Sequence, residues 1–523
     1  MNKIIIVAGC LAIACLTSCK KYIDKGPIDS TYGSEFWTSQ SAVEQAAISM
    51  YGQFRICLRS SNAFFTNGDF VVGIFSSQAW NYTPLSPANG SDFFTATADY
   101  LGDLTNWSRY YTLIAQCNLI LQQVPQMPLS DFTGSDTSVR NAYIGEALFM
   151  RSLAYFFMVR NWGDPVYVTR TYDQVDYGNI PPVARTSETI ALDSCLADLQ
   201  TAARYLAFKG GDPTQTLRAN RGTVYALMAH IYAWMHDYSH AHLACQQVIQ
   251  NGGYSLEPGA TYTNLWKGEA SLENIMEIAM TYNANDPQFL PSAAANLAQG
   301  YANTYSAWTE AQFSFFSIFL KDSLDNQLTN TAWVADPVQI DTLFAVDANG
   351  NSSDMRFNTV LKYVNATNGD PAGYLLLKYA NFAYQNPGIQ QNAYISNNLA
   401  LFRLADIILL DAEAQAMTGN GPAAVAEINQ IRARASASNY TGPTDPTTLV
   451  DAILSERARE LIGEGQTFYD MIRTDTVLHV LEEGLNYPPA RVTQKGYYWP
   501  LDLGSLFALD PLLTQNPYWS SNK

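Results

Sequence analysis

Apolar residues recur at helical spacing along most of this chain, and the segments they define come in pairs. The clearest pair covers residues 221–235 and 238–250, because only the short turn at His236 and Asp237 separates its two helices. Small residues such as Ala226 and Ala241 stand where these helices must approach each other, and large ones stand between them. This alternation predicts a tetratricopeptide-like unit, although the irregular spacing of the pairs argues against a simple solenoid.

Three further pairs complete a predicted helical scaffold over residues 36–254 and 399–475. They are 36–57 with 107–124, 140–162 with 187–206, and 399–417 with 423–434, followed by another helix at 449–462. The fold class is therefore predicted to be mainly α, built from tetratricopeptide-like helix pairs.

Two stretches interrupt this helical pattern. Between about 255 and 398, Gly, Pro, Asn and Asp punctuate short segments such as 275–280 and 374–379. That pattern predicts a loop-rich irregular region carrying a few short strands. A second loop-rich stretch covers residues 60–106, and residues 476–523 form a C-terminal tail.

The N-terminus has the layout of a secretory signal peptide. Lys3 precedes an apolar block from Ile4 to Leu16, and two small residues follow before Cys19. The block is too short for a membrane-spanning helix, which needs about 20 apolar residues. Residues 16–19 resemble a bacterial lipobox, in which Cys19 becomes the acylated first residue; an ordinary signal with an incidental cysteine is the alternative. We expect residues 1–18 to be removed, 19–35 to form a lipidated tether and 36–523 to fold as one domain.

Charge and composition narrow the class of ligand. The formal net charge is −17, which disfavours nucleic acid and anionic lipid headgroups as partners. Only 15% of residues are charged while 13% are aromatic, a balance that suits neutral ligands which stack and hydrogen-bond. Most of these rings are expected in the core. Four cysteines after Cys19 stand in helix-like apolar segments and are expected as buried free thiols; a disulfide is the alternative, which the absence of a Cys-x-x-Cys spacing does not support. They are Cys57, Cys117, Cys195 and Cys245.

Two loops have the composition of a saccharide site, in which an aromatic plate meets the C–H face of a sugar and polar side chains bind its hydroxyls. The first spans residues 69–82 and the second spans 301–308, just before a helix-like segment at 309–320. Loops on a rigid scaffold commonly carry binding sites; packing within the loop is the alternative for each residue. The candidate ligand-binding residues are Asp69, Trp80, Asn81, Tyr82, Tyr305 and Trp308.

The sequence contains no strong signal for catalysis or metal binding. It has no Gly-x-Ser-x-Gly, phosphate-binding loop or dinucleotide fingerprint. Residues 347–351 begin like a calcium loop but lack Gly at the sixth position and Glu at the twelfth, so they predict an Asn-Gly turn. His236, His240 and His242 straddle a turn and predict a solvated turn rather than a metal site. We expect no catalytic residue, no metal and no cofactor.

The segment at 145–165, GEALFMRSLAYFFMVRNWGDP, is apolar nearly all round and predicts a helix buried on both sides. It closely resembles the hallmark of the SusD/RagB family of outer-membrane nutrient-binding lipoproteins. Other segments resemble that family in the expected order: 107–118, 401–414, 428–435, 456–461, 469–473, 499–502 and 515–518. Two features depart from the family pattern: the turn after Gly465 lacks the usual arginine, and Lys20 and Lys21 follow Cys19 where acidic residues favour surface export.

The resemblance implies a function at the cell surface. It implies a glycan-binding lipoprotein of the outer membrane, facing the extracellular side and not an enzyme, that captures oligosaccharides for a partner SusC-like TonB-dependent transporter. A peptide-binding member of the family, a surface glycoside hydrolase and a helical scaffold with only protein partners remain alternatives. Charged residues on the matching helices are expected to form ion pairs rather than to catalyse: Arg403, Asp406, Arg432, Glu456, Arg457, Glu460 and Arg473.

Overall fold

The computed structural model describes residues 36–76, 99–171, 181–208, 212, 215–281, 315–320, 333–366, 371–389, 391–476, 489–502, 504–508 and 510–521. In chain order its helices are α1 (Gln40–Arg59), α2 (Ala63–Gly68), α3 (Ser108–Gln123), α4 (Thr137–Trp162), α5 (Glu188–Tyr205), α6 (Arg221–Trp234), α7 (Tyr238–Asn251), α8 (Pro337–Leu343), α9 (Met355–Val360), α10 (Leu404–Met417), α11 (Gly421–Arg434), α12 (Pro446–Leu461), α13 (Thr467–Arg473), α14 (Pro489–Thr493) and α15 (Pro517–Ser521). The strands are β1 (Phe75–Ser76), β2 (Asn274–Ile278), β3 (Val334–Ala335), β4 (Leu361–Val364), β5 (Gly373–Leu376), β6 (Phe382–Asn386), β7 (Gln391–Ile395) and β8 (Leu399–Arg403).

The predicted helix pairs are present and pack as pairs. α1 packs on α3, α4 on α5, α6 on α7, and α10 on α11, while α10 also contacts α7 and α12. Capping residues explain where helices begin. The Asn220 side chain caps α6 by accepting from the backbone N–H groups of Gly222 and Thr223, and the Asp136 side chain caps α4 by accepting from the backbone N–H of Ser138. The mainly α fold class with tetratricopeptide-like pairs is confirmed.

α4 is the central helix of this scaffold. Its sequence is long and apolar enough to cross a membrane, but 89% of its most apolar window is buried inside the protein. It contacts α1, α3 and α5, so its apolar surface is covered on several sides, as the sequence predicts. Its polar interruptions are paired, since Arg151 binds Asp198 at 2.7 Å and Glu146 binds Arg218 at 2.8 Å.

The expectation of a helix over residues 399–417 is wrong for its first five residues. Leu399–Arg403 form β8, which pairs antiparallel with β2, and the helix begins at Leu404. All five residues are buried, and a continuous apolar run does not distinguish a buried strand from a buried helix. The extended backbone of Arg403 also lets its guanidinium reach Glu273, Glu460 and Glu464.

Short strands fill the irregular region, as predicted. Four of them form an antiparallel sheet in the order β1-β3-β5-β4, β2 pairs with β8, and β6 and β7 form a hairpin. The four predicted thiols are buried and free. Burial raises the pKa of the Cys57 thiol to about 12, so it remains protonated at neutral pH.

Candidate functional site

Most of the predicted ligand-binding residues lie outside the described part of the chain. Trp80, Asn81 and Tyr82 fall between Ser76 and Asp99, and Tyr305 and Trp308 fall between Thr281 and Phe315. Cys19 also lies outside the described residues. The structure therefore describes only the residues that flank these two predicted loops.

Asp69 is the one predicted ligand-binding residue that the structure describes, and its placement corrects the prediction. Its side chain is 0% exposed. One carboxylate oxygen accepts from the backbone N–H of Gly465 at 2.6 Å, and the other accepts from the Thr467 hydroxyl at 2.9 Å. A carboxylate that is buried and bonded in this way holds the 465–467 turn against α2 and does not reach a ligand in solvent.

The physical reason for this burial is the short helix α2. All six of its residues are buried, so the segment before Asp69 is core rather than loop. Its last residue, Gly68, packs directly on Gly465, and a Cβ at Gly68 would overlap the Gly465 carbonyl. Burial also raises the pKa of Asp69 to about 7, against the opposing effect of its two hydrogen bonds.

The structure brings the ends of both predicted loops together. β1 leads into residues 77–98, and it pairs with β3, which follows residues 321–332. Phe315, the first described residue after the second loop, stacks on Phe65 with ring centroids 4.8 Å apart. Phe75 in β1 contacts Phe319 at 5.5 Å, and Phe319 contacts Trp333 at 5.7 Å. Segments more than 200 residues apart in sequence thus start from one place in the fold.

These contacts belong to one buried aromatic group, which we call the root cluster. Its members are each less than 9% exposed and are Phe65, Phe70, Phe75, Phe315, Phe316, Phe319, Trp333 and Tyr379. Tyr379 ties the cluster to the scaffold, because its ring stacks on Phe316 at 4.3 Å and its hydroxyl donates to the Gly463 carbonyl at 2.7 Å. Sequence reasoning missed this cluster, although the dense phenylalanines at 64–75 and 313–319 were a visible signal.

The remaining loop ends lie at the same end of the scaffold. Asp99–Leu104 form a 3₁₀ turn that packs on Ser60–Asn62, directly after α1. Thr281 donates its hydroxyl to the Asn397 carbonyl at 3.2 Å, and Arg55 near the C-terminal end of α1 donates to the Ala279 carbonyl at 3.2 Å. The C-terminal end of α1 and the α2 segment that follows it therefore contact described residues that flank both loops.

Below the root cluster lies a buried network of charges. The two oxygens of Glu460 accept from Arg356 at 2.8 Å, from Arg403 at 2.6 Å and from Arg434 at 2.5 Å. Burial opposes ionisation of Glu460, yet Arg434, Arg403 and Arg356 hold its pKa well below the ordinary value. Lys378 binds Glu464 at 2.6 Å within the same network. The prediction of ion pairs is confirmed for Arg403, Asp406, Arg432, Glu456, Arg457, Glu460 and Arg473.

Comparison with known protein families gives two matches along the chain. A family model described as "SusD family" matches residues 345–519, and one described as "Starch-binding associating with outer membrane" matches residues 21–233. Among curated proteins, the SusD-like protein P38 of Formosa agariphila is 23% identical over 97% of this chain and 97% of its own length.

Solved structures share the fold. A SusD homolog from Bacteroides thetaiotaomicron is 25% identical and aligns with a TM-score of 0.70 over 92% of this chain and 99% of its own. A second SusD superfamily protein from the same organism is 21% identical, with the same TM-score and the same coverage. The chain therefore belongs to the SusD/RagB family, whose members are nutrient- or glycan-binding proteins of the outer membrane.

Proposed function

We propose that this chain is a cell-surface lipoprotein that captures oligosaccharides and delivers them to a partner SusC-like TonB-dependent transporter. The observation that carries the binding role is the convergence of the two predicted loops on the root cluster. Phe75, where the first segment begins, contacts Phe319, and Phe315, where the second segment ends, stacks on Phe65, so the described residues that flank the candidate rings meet in one packed cluster.

The binding proposed here is non-covalent. Trp80, Tyr82, Tyr305 and Trp308 supply candidate stacking plates, and Asn81 supplies a candidate hydrogen-bonding amide. Asp69 supports them indirectly, by joining the segment before β1 to the 465–467 turn. Moderate affinity suits a carrier, because the ligand must be released to the transporter.

The scaffold favours a tether and a ligand site at opposite ends of α1. α1 begins at Gln40, just after the proposed tether of residues 19–35, and its 20 residues span about 30 Å before the loop ends. α4 runs beside it in the same direction, because Gln40 at the start of α1 hydrogen-bonds Tyr143 in the first half of α4, and Phe54 near the end of α1 contacts Phe157 near the end of α4. The residues that follow the proposed tether and the described residues that flank both loops therefore lie at opposite ends of α1.

Direct binding to a saccharide panel tests this proposal. The mature chain without its lipid is titrated by calorimetry with soluble malto-, cello-, xylo- and manno-oligosaccharides and with peptides. We expect one saccharide class to bind, and Trp80→Ala or Trp308→Ala to weaken it about tenfold, equivalent to about 1.4 kcal/mol. Leu243→Ala, a matched loss of an exposed apolar side chain on α7, is expected to bind as the parent does.

Three outcomes would contradict the proposal. Binding of peptides alone would identify a peptide carrier, release of reducing ends would identify a hydrolase, and unchanged binding by both tryptophan variants would remove those loops from the site. The anchor is tested separately by Cys19→Ser in cells, with loss of the protein from the outer-membrane fraction as the expected result. Co-purification of a TonB-dependent transporter with the tagged native protein tests the partner.

A further inference from the structure

The exposed edge of the four-stranded sheet carries a half-exposed aromatic ring. Tyr363 in the edge strand β4 lies opposite Tyr374 in β5, Tyr374 lies opposite Ala335 in β3, and Ala335 lies opposite Phe75 in β1. Residues directly opposite on neighbouring strands share one face of a sheet. This row leads from the buried root cluster at Phe75 to Tyr363, which is 50% exposed.

The Tyr363 ring is held in place by its neighbours. It meets Tyr374 edge-to-face, with ring centroids 5.4 Å apart and an interplanar angle of 73°. Tyr374 in turn meets Phe357 of α9 at 5.4 Å, and it is only 8% exposed. A cross-strand aromatic pair of this kind restricts the rotamers of the outer ring. Tyr363 is thus a fixed aromatic surface rather than a freely rotating side chain.

A carboxylate binds the inner ring of this pair, Tyr374. The Tyr374 hydroxyl donates to Oδ1 of Asp341 on α8 at 2.7 Å. Burial and the neighbouring Asp341 carboxylate raise the pKa of Tyr374, so this hydroxyl remains a donor at neutral pH. Asp341 is only partly buried, and a carboxylate accepts more than one hydrogen bond. Val338, one turn earlier on α8 and 74% exposed, adds an apolar side chain on the same face of that helix.

We infer that Tyr363 and Asp341 form a second saccharide-contacting subsite, which extends the proposed ligand site along the sheet. A pyranose ring would place its C–H face on Tyr363 and donate a hydroxyl to Asp341, a pairing of aromatic plate and directed acceptor that suits a neutral sugar. The inference rests on the proposed glycan-binding function, because it uses the same ligand class.

The position of this subsite indicates the length of the ligand. β1, at the other edge of the same sheet, leads into residues 77–98, so the sheet connects Tyr363 at one edge with the start of the first proposed loop at the other. Three strand spacings separate β1 from β4, which is about 14 Å. One sugar ring cannot span that distance. The ligand that uses both places is therefore a glycan chain of several units rather than a mono- or disaccharide.

Affinity measured against chain length tests the inference. The mature protein is titrated with malto-, cello-, xylo- and manno-oligosaccharides of two and of six units. In the class that the parent binds, Tyr363→Ala is expected to weaken the six-unit ligand about tenfold and the two-unit ligand less than twofold. Tyr363→Phe keeps the plate and is expected to stay within twofold of the parent for both lengths.

Lys362→Ala is the matched control, because Lys362 is the neighbouring exposed residue of β4 and its side chain points to the opposite face. It is expected to bind as the parent does. Equal binding of six-unit ligands by the parent and Tyr363→Ala would overturn the subsite alone while leaving the proposed function in place. An equal loss in Lys362→Ala would also overturn it, whereas a parent that binds no saccharide would overturn both.

Discussion

Replacing the buried carboxyl of Asp69 by an amide should make the stability of the protein respond differently to pH. Asn fits the same space, accepts from the Gly465 N–H through its oxygen, and donates to the Thr467 hydroxyl through its nitrogen. The substitution therefore keeps the shape of the site and removes only the titration. Because Asp69 is 0% exposed, solvent screens this titration little.

The sign and size of the effect follow from the raised pKa. Burial raises the pKa of Asp69 from 3.8 to about 7 in the folded protein, so between these values the folded state binds more protons than the unfolded state. The contribution of Asp69 to the free energy of unfolding therefore falls as pH rises through this window. At 1.36 kcal/mol per pKa unit the total is about 4 kcal/mol, of which about 2–3 kcal/mol falls between pH 5 and pH 8.

Urea denaturation of the parent and of Asp69→Asn at pH 5 and pH 8 measures this directly. The free energy of unfolding of the parent, relative to the variant, should drop by about 2–3 kcal/mol between the two pH values. Comparing the two chains cancels the titration of other groups. A difference that is the same at both pH values would refute the reasoning, since Asp69 would then not titrate in this range. Asp69→Ala is expected to destabilise at both, because it leaves the buried Gly465 N–H without its acceptor.

Three further predictions concern the described scaffold. Glu460→Gln should lower the free energy of unfolding by about 3–5 kcal/mol in urea denaturation, because it leaves buried arginines without their shared counter-charge, while the exposed Glu269→Gln should have little effect. Gly465→Ala should destabilise far more than Gly350→Ala: both have positive φ, but only at Gly465 would a Cβ meet Phe64, at 2.6 Å. Melting temperatures check this, and similar losses would contradict it. Cys57, Cys117, Cys195 and Cys245 should resist a thiol reagent at pH 7 in the folded, unlipidated chain and react after unfolding; mass spectrometry that finds label on any of these four in the native protein would contradict their burial.

The sequence predicted the helices well because their signals are local. The predicted helix at 221–235 is α6, Arg221–Trp234, since a periodic apolar face and the Asn220 cap lie within one short segment. The ion pairs of the later helices were also predictable. Charged residues on helices that are mostly buried need partners, and Arg457 finds Asp406 at 2.8 Å and Asp470 at 2.7 Å.

Where the sequence misled, a distant segment decided the structure. Residues 399–403 are apolar enough for a helix or a strand, and they form β8 because β2 pairs with them across more than 100 residues. Asp69 lies in a stretch with the composition of a loop. Its side chain is nevertheless buried, because it accepts hydrogen bonds from Gly465 and Thr467, nearly 400 residues later. Neither partner is visible in the local pattern.

The sequence by itself therefore determined the helical scaffold, the paired charges and the family, because periodicity, capping residues and ordered motifs are properties of short segments. Only the tertiary structure decided that the segments after Phe75 and before Phe315 start from one aromatic base, and that Tyr363 stands at the exposed end of the row from Phe75. These facts depend on packing between residues far apart in the chain. Packing of that kind leaves no local pattern to read.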